Sequence, residues 1–272
     1  MKYVFSAILI CLCLLSCKET DKPLDTAKPK DAKEAVTSPM TKADDLGNGI
    51  SMSAFTESKA FPDAAISTIN YTKGKFTFGI SGDTYRLGET TTDAEAKMCA
   101  NSAKGQHIHL IIDNAPYAAK YVKQFDHDVE DGERYLLAFL SRSYHESIKT
   151  DAANVALKVE VKDKSIMKTE TIKEPMLFYS RPKGTYVGND TKNLMLDFFL
   201  KNVEISANGY KVKANINGTE TIIDTWQPYY LNGLPMGENT IELSLIDADG
   251  NLVDTPLNPV KRTFTLKADP LG

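Results

Sequence analysis

From Phe61 onward the chain is built of short runs in which apolar and polar residues alternate. The runs are separated by clusters such as Ser81-Gly82-Asp83, Asp113-Asn114-Ala115-Pro116 and Glu130-Asp131-Gly132. A period of two sends successive side chains to opposite faces of a half-buried strand, and the clusters supply the turn chemistry between strands. The pattern predicts strands at Ala65 to Tyr71, Lys75 to Ile80, His107 to Asp113, Tyr135 to Ser141 and Ala156 to Lys162. A second set falls at Leu194 to Leu200, Lys211 to Ile216, Thr221 to Thr225, Asn239 to Ile246 and Arg262 to Lys267. No sustained helical period intervenes, although Asp93 to Cys99 has room for a turn or so. Short strands with frequent turns point to an all-β, antiparallel sandwich architecture.

The two sets of strands repeat one another. Thr84-Tyr85 corresponds to Thr185-Tyr186, Asp113-Asn114 to Asn217-Gly218, Gly132-Glu133 to Gly237-Glu238, and Val159 and Val161 to Phe264 and Leu266. The spacing between partners grows slowly along the chain, as short loop insertions would make it. The expectation is two tandem Ig-like β-sandwich modules, residues 61–163 and 164–272.

The N-terminus has a different character. Lys2 is followed by an apolar stretch from Tyr3 to Leu15 and then by Ser16-Cys17. This is the layout of a secretory signal, too short for a stable membrane span. Leu14-Leu15-Ser16-Cys17 resembles a bacterial lipobox, which predicts a signal peptide over 1–16 and acylation of Cys17. Lys18-Glu19-Thr20-Asp21 resembles in part the tag that sends some lipoproteins to the cell surface. Residues 17–60 are rich in Lys, Asp, Thr, Ala and Pro, and are expected to be a disordered tether. Together these features predict a protein of the bacterial cell envelope, an outer-membrane lipoprotein held on the membrane by its lipid anchor and facing the periplasm or the surface.

Of the four cysteines, processing leaves Cys99 as the only possible thiol, so no intrachain disulfide staples the body. With 32 Lys and Arg against 36 Asp and Glu, and no basic block, the chain has no electrostatic footprint for nucleic acid.

All four histidines fall between positions 107 and 145. His107 and His109 take the places of Lys211 and Lys213 in the repeat, so they belong on the outer face of their strand. The neighbouring run Tyr135 to Leu140 is apolar on both faces, where its counterpart alternates with Thr240, Glu242 and Ser244. Such a face needs a cover, either the other module or the Phe61 region, or else it is a ligand-binding face for a protein or peptide partner. The following loop, Ser141 to Ser147, gathers a guanidinium, hydroxyls, an imidazole and a carboxylate.

Two readings follow. One is a binding or adhesion module with its ligand site at His107, His109, Arg142, Tyr144, His145 and Glu146. There the Arg142 fork would suit phosphate or carboxylate, and Glu146 would orient an imidazole or Arg142. The other is a metal site in which His107, His109 and His145 hold copper or zinc, with Met98 and Cys99 making copper the ion to consider. Nothing in the sequence forms a nucleophile elbow, glycine-rich phosphate loop or acidic pair, so no enzymatic activity is expected. His127 is expected to be a solvated loop residue, and Trp226 a packing aromatic.

Gly105-Gln106-His107-Ile108-His109-Leu110-Ile111-Ile112-Asp113-Asn114 and Phe139-Leu140-Ser141-Arg142-Ser143-Tyr144-His145-Glu146-Ser147 resemble an uncharacterised family of bacterial lipoproteins. Pro116-Tyr117, Pro228-Tyr229 and Gly233 to Thr240 continue the likeness, which covers nearly everything from Phe61 onward. Some members carry the label of phosphopeptide-binding proteins. The resemblance implies a shared fold and brings no catalytic or metal-ligating residue with it.

Overall fold

The computed structural model describes residues 43–270. The expected signal peptide, the acylated Cys17 and the first part of the tether lie outside the described residues.

The chain is all-β, in four sheets. The first module pairs a sheet of β3 (Ala65–Thr72), β4 (Lys75–Ser81) and β7 (Gln124–Asp126) with a five-stranded sheet. The latter contains β5 (His107–Ile112), β6 (Ala118–Lys120), β8 (Gly132–Ser141), β9 (Asn154–Lys162) and β10 (Ser165–Thr171), in the order β10-β9-β8-β5-β6.

In the second module, one sheet runs β1 (Asp44–Gly47), β2 (Ile50–Ala54), β16 (Tyr229–Asn232), β13 (Leu194–Lys201) and β11 (Met176–Arg181). The other runs β12 (Gly184–Val187), β18 (Val260–Lys267), β17 (Gly237–Ile246), β14 (Lys211–Ile216) and β15 (Thr219–Ile223). Every pairing is antiparallel except β12 with β18.

The internal repeat is visible in this topology. The order β9-β8-β5-β6 of the first module matches β18-β17-β14-β15 of the second. The matched turns carry matched bonds. Arg142 N–H donates to Glu146 O as Asp247 N–H donates to Asn251 O, and Ile148 N–H to Leu140 O as Val253 N–H to Leu245 O.

Three apolar cores hold the layers. Phe76, Phe78, Leu110, Leu136 and Leu140 fill the first sandwich, and Leu196, Phe198, Ala214, Leu243 and Phe264 the second. The third core joins the modules: Ile111, Leu137 and Phe139 on the outer face of β5 and β8 meet Met176, Phe178 and Phe199 on β11 and β13. This is why Tyr135 to Leu140 and Leu194 to Leu200 are apolar on both faces. The cover demanded by the face beside His107 and His109 is the other module, so no open apolar patch remains there for a partner.

Polar bonds fix the joint. The amide of Asn114 donates to Leu177 O and accepts from Tyr179 N–H, each at 2.8 Å. Asp197, fully buried on β13, accepts from Ser147 N–H at 3.1 Å and from Lys149 Nζ at 2.7 Å.

Two expected boundaries move. Residues 44–54, placed in the tether by composition, form β1 and β2 and extend the sheet beyond β16, because Ile50 and Met52 insert into the second core. The first module ends later than residue 163: β10 pairs along β9, and its mostly exposed polar side chains are those of an edge strand.

Candidate functional site

β5 and the loop after β8 bring three histidines together. His107 and His109 point to the same face of β5, two residues apart, and both are fully buried. His109 lies opposite Phe139 on β8. His145 reaches them from the Ser141–Ser147 turn, where it has a backbone φ of 72°. The equivalent residue of the second module is Gly250, at φ 87°. A left-handed backbone suits glycine and strains histidine, so the imidazole is held at a position that the repeat fills without a side chain.

The nitrogens converge. His107 Nε2 is 2.9 Å from His109 Nε2 and 3.0 Å from His145 Nδ1. His107 Nδ1 is 2.8 Å from Gly105 O. A carbonyl only accepts, so Nδ1 carries the proton, and the Nε2 lone pair of His107 faces the other two rings. Gly105 itself has a φ of 80°, and a β-carbon there would lie 2.5 Å from the backbone of Gly88. The carbonyl that orients His107 is therefore set by a turn closed to any larger residue. His109 stacks on Tyr117 with ring centres 3.6 Å apart and planes 9° from parallel, and Tyr117 Oη is 3.2 Å from His145 Nδ1.

All three imidazoles are held neutral. Burial depresses the pKa of His107 to about 4 and drives His109 and His145 well below the ordinary value. The Arg181 and Lys183 charges push in the same direction. Unfolding releases these groups to protonate near pH 6.5, so between that value and about 4 the unfolded chain binds more protons than the native one. Stability therefore falls as pH drops through this window, and above it both states are neutral and the dependence vanishes. For His107 alone the loss by pH 4 is about 3 kcal/mol. Urea-unfolding midpoints measured across this range are expected to fall with acid, and to fall less in His107→Gln.

The other residues expected at the site are spent elsewhere. Arg142 donates through Nε to Lys59 O and pairs with Glu146 at 3.4 Å, so its fork is not offered to a ligand. Glu146 accepts from Ser58 Oγ and faces Arg142, with no imidazole beside it to orient. Tyr144 is fully buried, and its hydroxyl donates to Asp93. The loop turns these side chains inward because the β2 extension and the Phe61 segment pack over it. Cys99 sits in an apolar cluster with Phe55, Tyr144 and Met195, where burial pushes its thiol pKa up to about 11. Met98 is exposed. Neither sulfur belongs to the histidine group, which removes the sulfur argument for copper.

His127 is half-buried after β7, against Phe76. Trp226 packs on Phe199, and its indole N–H donates to Phe198 O. It borders an open cleft of about 450 Å³ that also includes Lys149 and Asn154.

Tyr117, Arg181 and Lys183 border the histidines but are not among the expected site residues. The stretch from Met176 to Lys183 falls between predicted strands, and only the docking of the modules brings it to the histidines.

No protein-family model and no curated protein matches the chain. Among solved structures it is similar to the fibronectin(III)-like modules of Clostridium thermocellum CbhA, at 15% identity over 35% of this chain and 99% of that one, with a TM-score of 0.28. It is also similar to SGBP-B of the Bacteroides ovatus mixed-linkage glucan utilization locus, solved with a mixed-linkage heptasaccharide. That match has 8% identity over 80% of this chain and 70% of that one, with a TM-score of 0.19.

Proposed function

We propose that this chain is a lipid-anchored protein of the bacterial cell envelope whose task is binding, and that it binds one transition-metal ion, copper or zinc, through His107, His109 and His145. The observation that carries the reading is the convergence of three neutral imidazole nitrogens, with the His107 tautomer fixed by Gly105 O. Metal-bound histidines characteristically donate their second ring N–H to a carbonyl or carboxylate in this way. Imidazole ligands without thiolate suit both zinc and copper(II). The 2.9 and 3.0 Å separations are a few tenths short of the roughly 3.3 Å implied between nitrogens by tetrahedral bonds of about 2.0–2.1 Å. Binding would open both separations by small ring rotations, of His107 or His109 for the first and of His145 for the second. Depressed pKa values favour the reading too, because protons compete weakly for nitrogens that are already neutral.

The full chain, stripped with chelator and then dialysed against zinc or copper(II), is expected to retain one equivalent. Cobalt(II) in the same site should give the intense visible bands of a low-coordinate centre. Retention of no more than trace metal after dialysis against both ions would overturn the reading.

A further inference from the structure

Beside the histidines lies a group of cations with too few partners. Arg181 and Arg262 are 5% and 6% exposed, and Lys183 is half-buried. Among the described residues none of the three forms an ion pair with a carboxylate, whereas other buried cations of this chain, Lys97 and Arg142, do. Arg181 Nη1 donates to Tyr144 O at 3.4 Å and the guanidinium also meets Tyr186, its carbon 5.3 Å from the ring centre, while Arg262 Nη2 donates to Asn114 O. Arg181 Nε, Arg262 Nη1 and the hydroxyl of Tyr179 have no hydrogen-bond partner although all are buried.

Each cation lies over a tyrosine ring. The guanidinium carbon of Arg262 lies 4.7 Å from the Tyr179 ring centre, and Lys183 Nζ lies 4.1 Å from that of Tyr117. Tyr117 in turn stacks on His109. Both arginines depress the Lys183 pKa, as burial does. Burial raises the pKa values of Tyr117 and Tyr179, so neither phenol supplies a negative charge.

Isolated buried charge costs several kcal/mol unless it is paired, and a guanidinium in a protein cannot shed its proton. Two such guanidinium groups, with the half-buried Lys183 ammonium beside them, call for an anion from outside the chain. We infer that Arg181, Lys183 and Arg262 form an anion subsite next to the histidine group, taking a small oxyanion, a carboxylate or phosphate, with Tyr179 as an additional donor. Lys183, at the surface, is the entry side. The inference rests on the unpartnered donors and holds with or without a bound metal.

The test is thermal unfolding of the full chain in chelator while sodium phosphate or sodium acetate replaces sodium chloride at constant ionic strength. A saturating rise in midpoint with phosphate or acetate is expected, and the stronger of the two identifies the preferred oxyanion. Lys183→Met should weaken the apparent affinity about tenfold, the size of one charge-assisted hydrogen bond. Lys158→Met, at a partly exposed position of β9 where the ammonium is already paired with Glu133, should leave it unchanged. Because Lys183 is half-exposed, its replacement spares the core, and an unfolding midpoint without added oxyanion confirms that the variant folds. No saturable response, or an equal response in Lys183→Met and the parent, overturns the subsite. A phosphate response without metal uptake would defeat only the metal reading, and metal uptake without an oxyanion response only this one.

Discussion

His109→Ala is expected to abolish stoichiometric metal retention while the chain stays folded. His109 offers one of three converging nitrogens, and its Nε2 is the nearest to that of His107. Losing one ligand of three should lower affinity by more than the roughly 10–100-fold that changes to outer-shell partners cost. The ring is also a packing element between Tyr117 and Phe139, so the truncation leaves a cavity and lowers stability by about 2–3 kcal/mol. The two effects separate by experiment. His145→Gly removes a ligand from a turn with positive φ, where glycine relieves strain. It should lose metal without that loss of stability. Dialysis followed by elemental analysis, with urea unfolding of the metal-free variants, reads both quantities. Full metal retention in both variants would defeat the three-imidazole site.

Phe139→Ala is expected to be the more damaging change to the fold. Phe139 is fully buried, stacks on Phe199 with ring centres 5.4 Å apart, and touches the His109 ring. It belongs to the core between modules, so truncation opens a cavity that neither sandwich can close alone. A loss of about 3–5 kcal/mol is expected in denaturant unfolding. Because this core ties both sandwiches, the parent should unfold in one transition by fluorescence and circular dichroism alike. Two separated transitions in the parent would show that the inter-module core contributes little.

Much of the architecture could be read from periodicity. The strands with clean alternation, such as Lys211–Ile216, and the long strands with buried inner faces all formed. Most strands outside the predicted set carry a short or polar signal; β11 is the exception, apolar over Met176 to Tyr179 without alternation because it is buried throughout. β6 and β7 have three residues each, β10 is an exposed edge, and Ile50 and Met52 are two apolar residues in a polar stretch.

The histidine group was legible for a physical reason. His107 and His109 replace lysines of the repeat, and a lysine-to-histidine exchange on an outer face, next to a strand apolar on both sides, marks a face that is no longer outside. The role of the Ser141–Ser147 loop was only partly legible. Its composition signals recognition, but a guanidinium and a carboxylate four residues apart satisfy each other as readily as they bind a ligand, and Arg142 and Glu146 do so. Arg181 and Lys183 are near neighbours, but Arg262 comes from β18, far along the chain, so no local pattern could unite the three.

The pairing of β2 with β16 joins residues 51–54 to residues 229–232, with the whole first module between them. The first module is therefore an insertion within the second, not its predecessor. During synthesis β2, paired only with β1, must wait for β16 until residues 229–232 have emerged. A closure of that length slows folding and gives the inserted module time to form first. The histidine face of β5 would then be exposed early and sealed only when the outer module closes around it, an interval in which the proposed metal ion would enter.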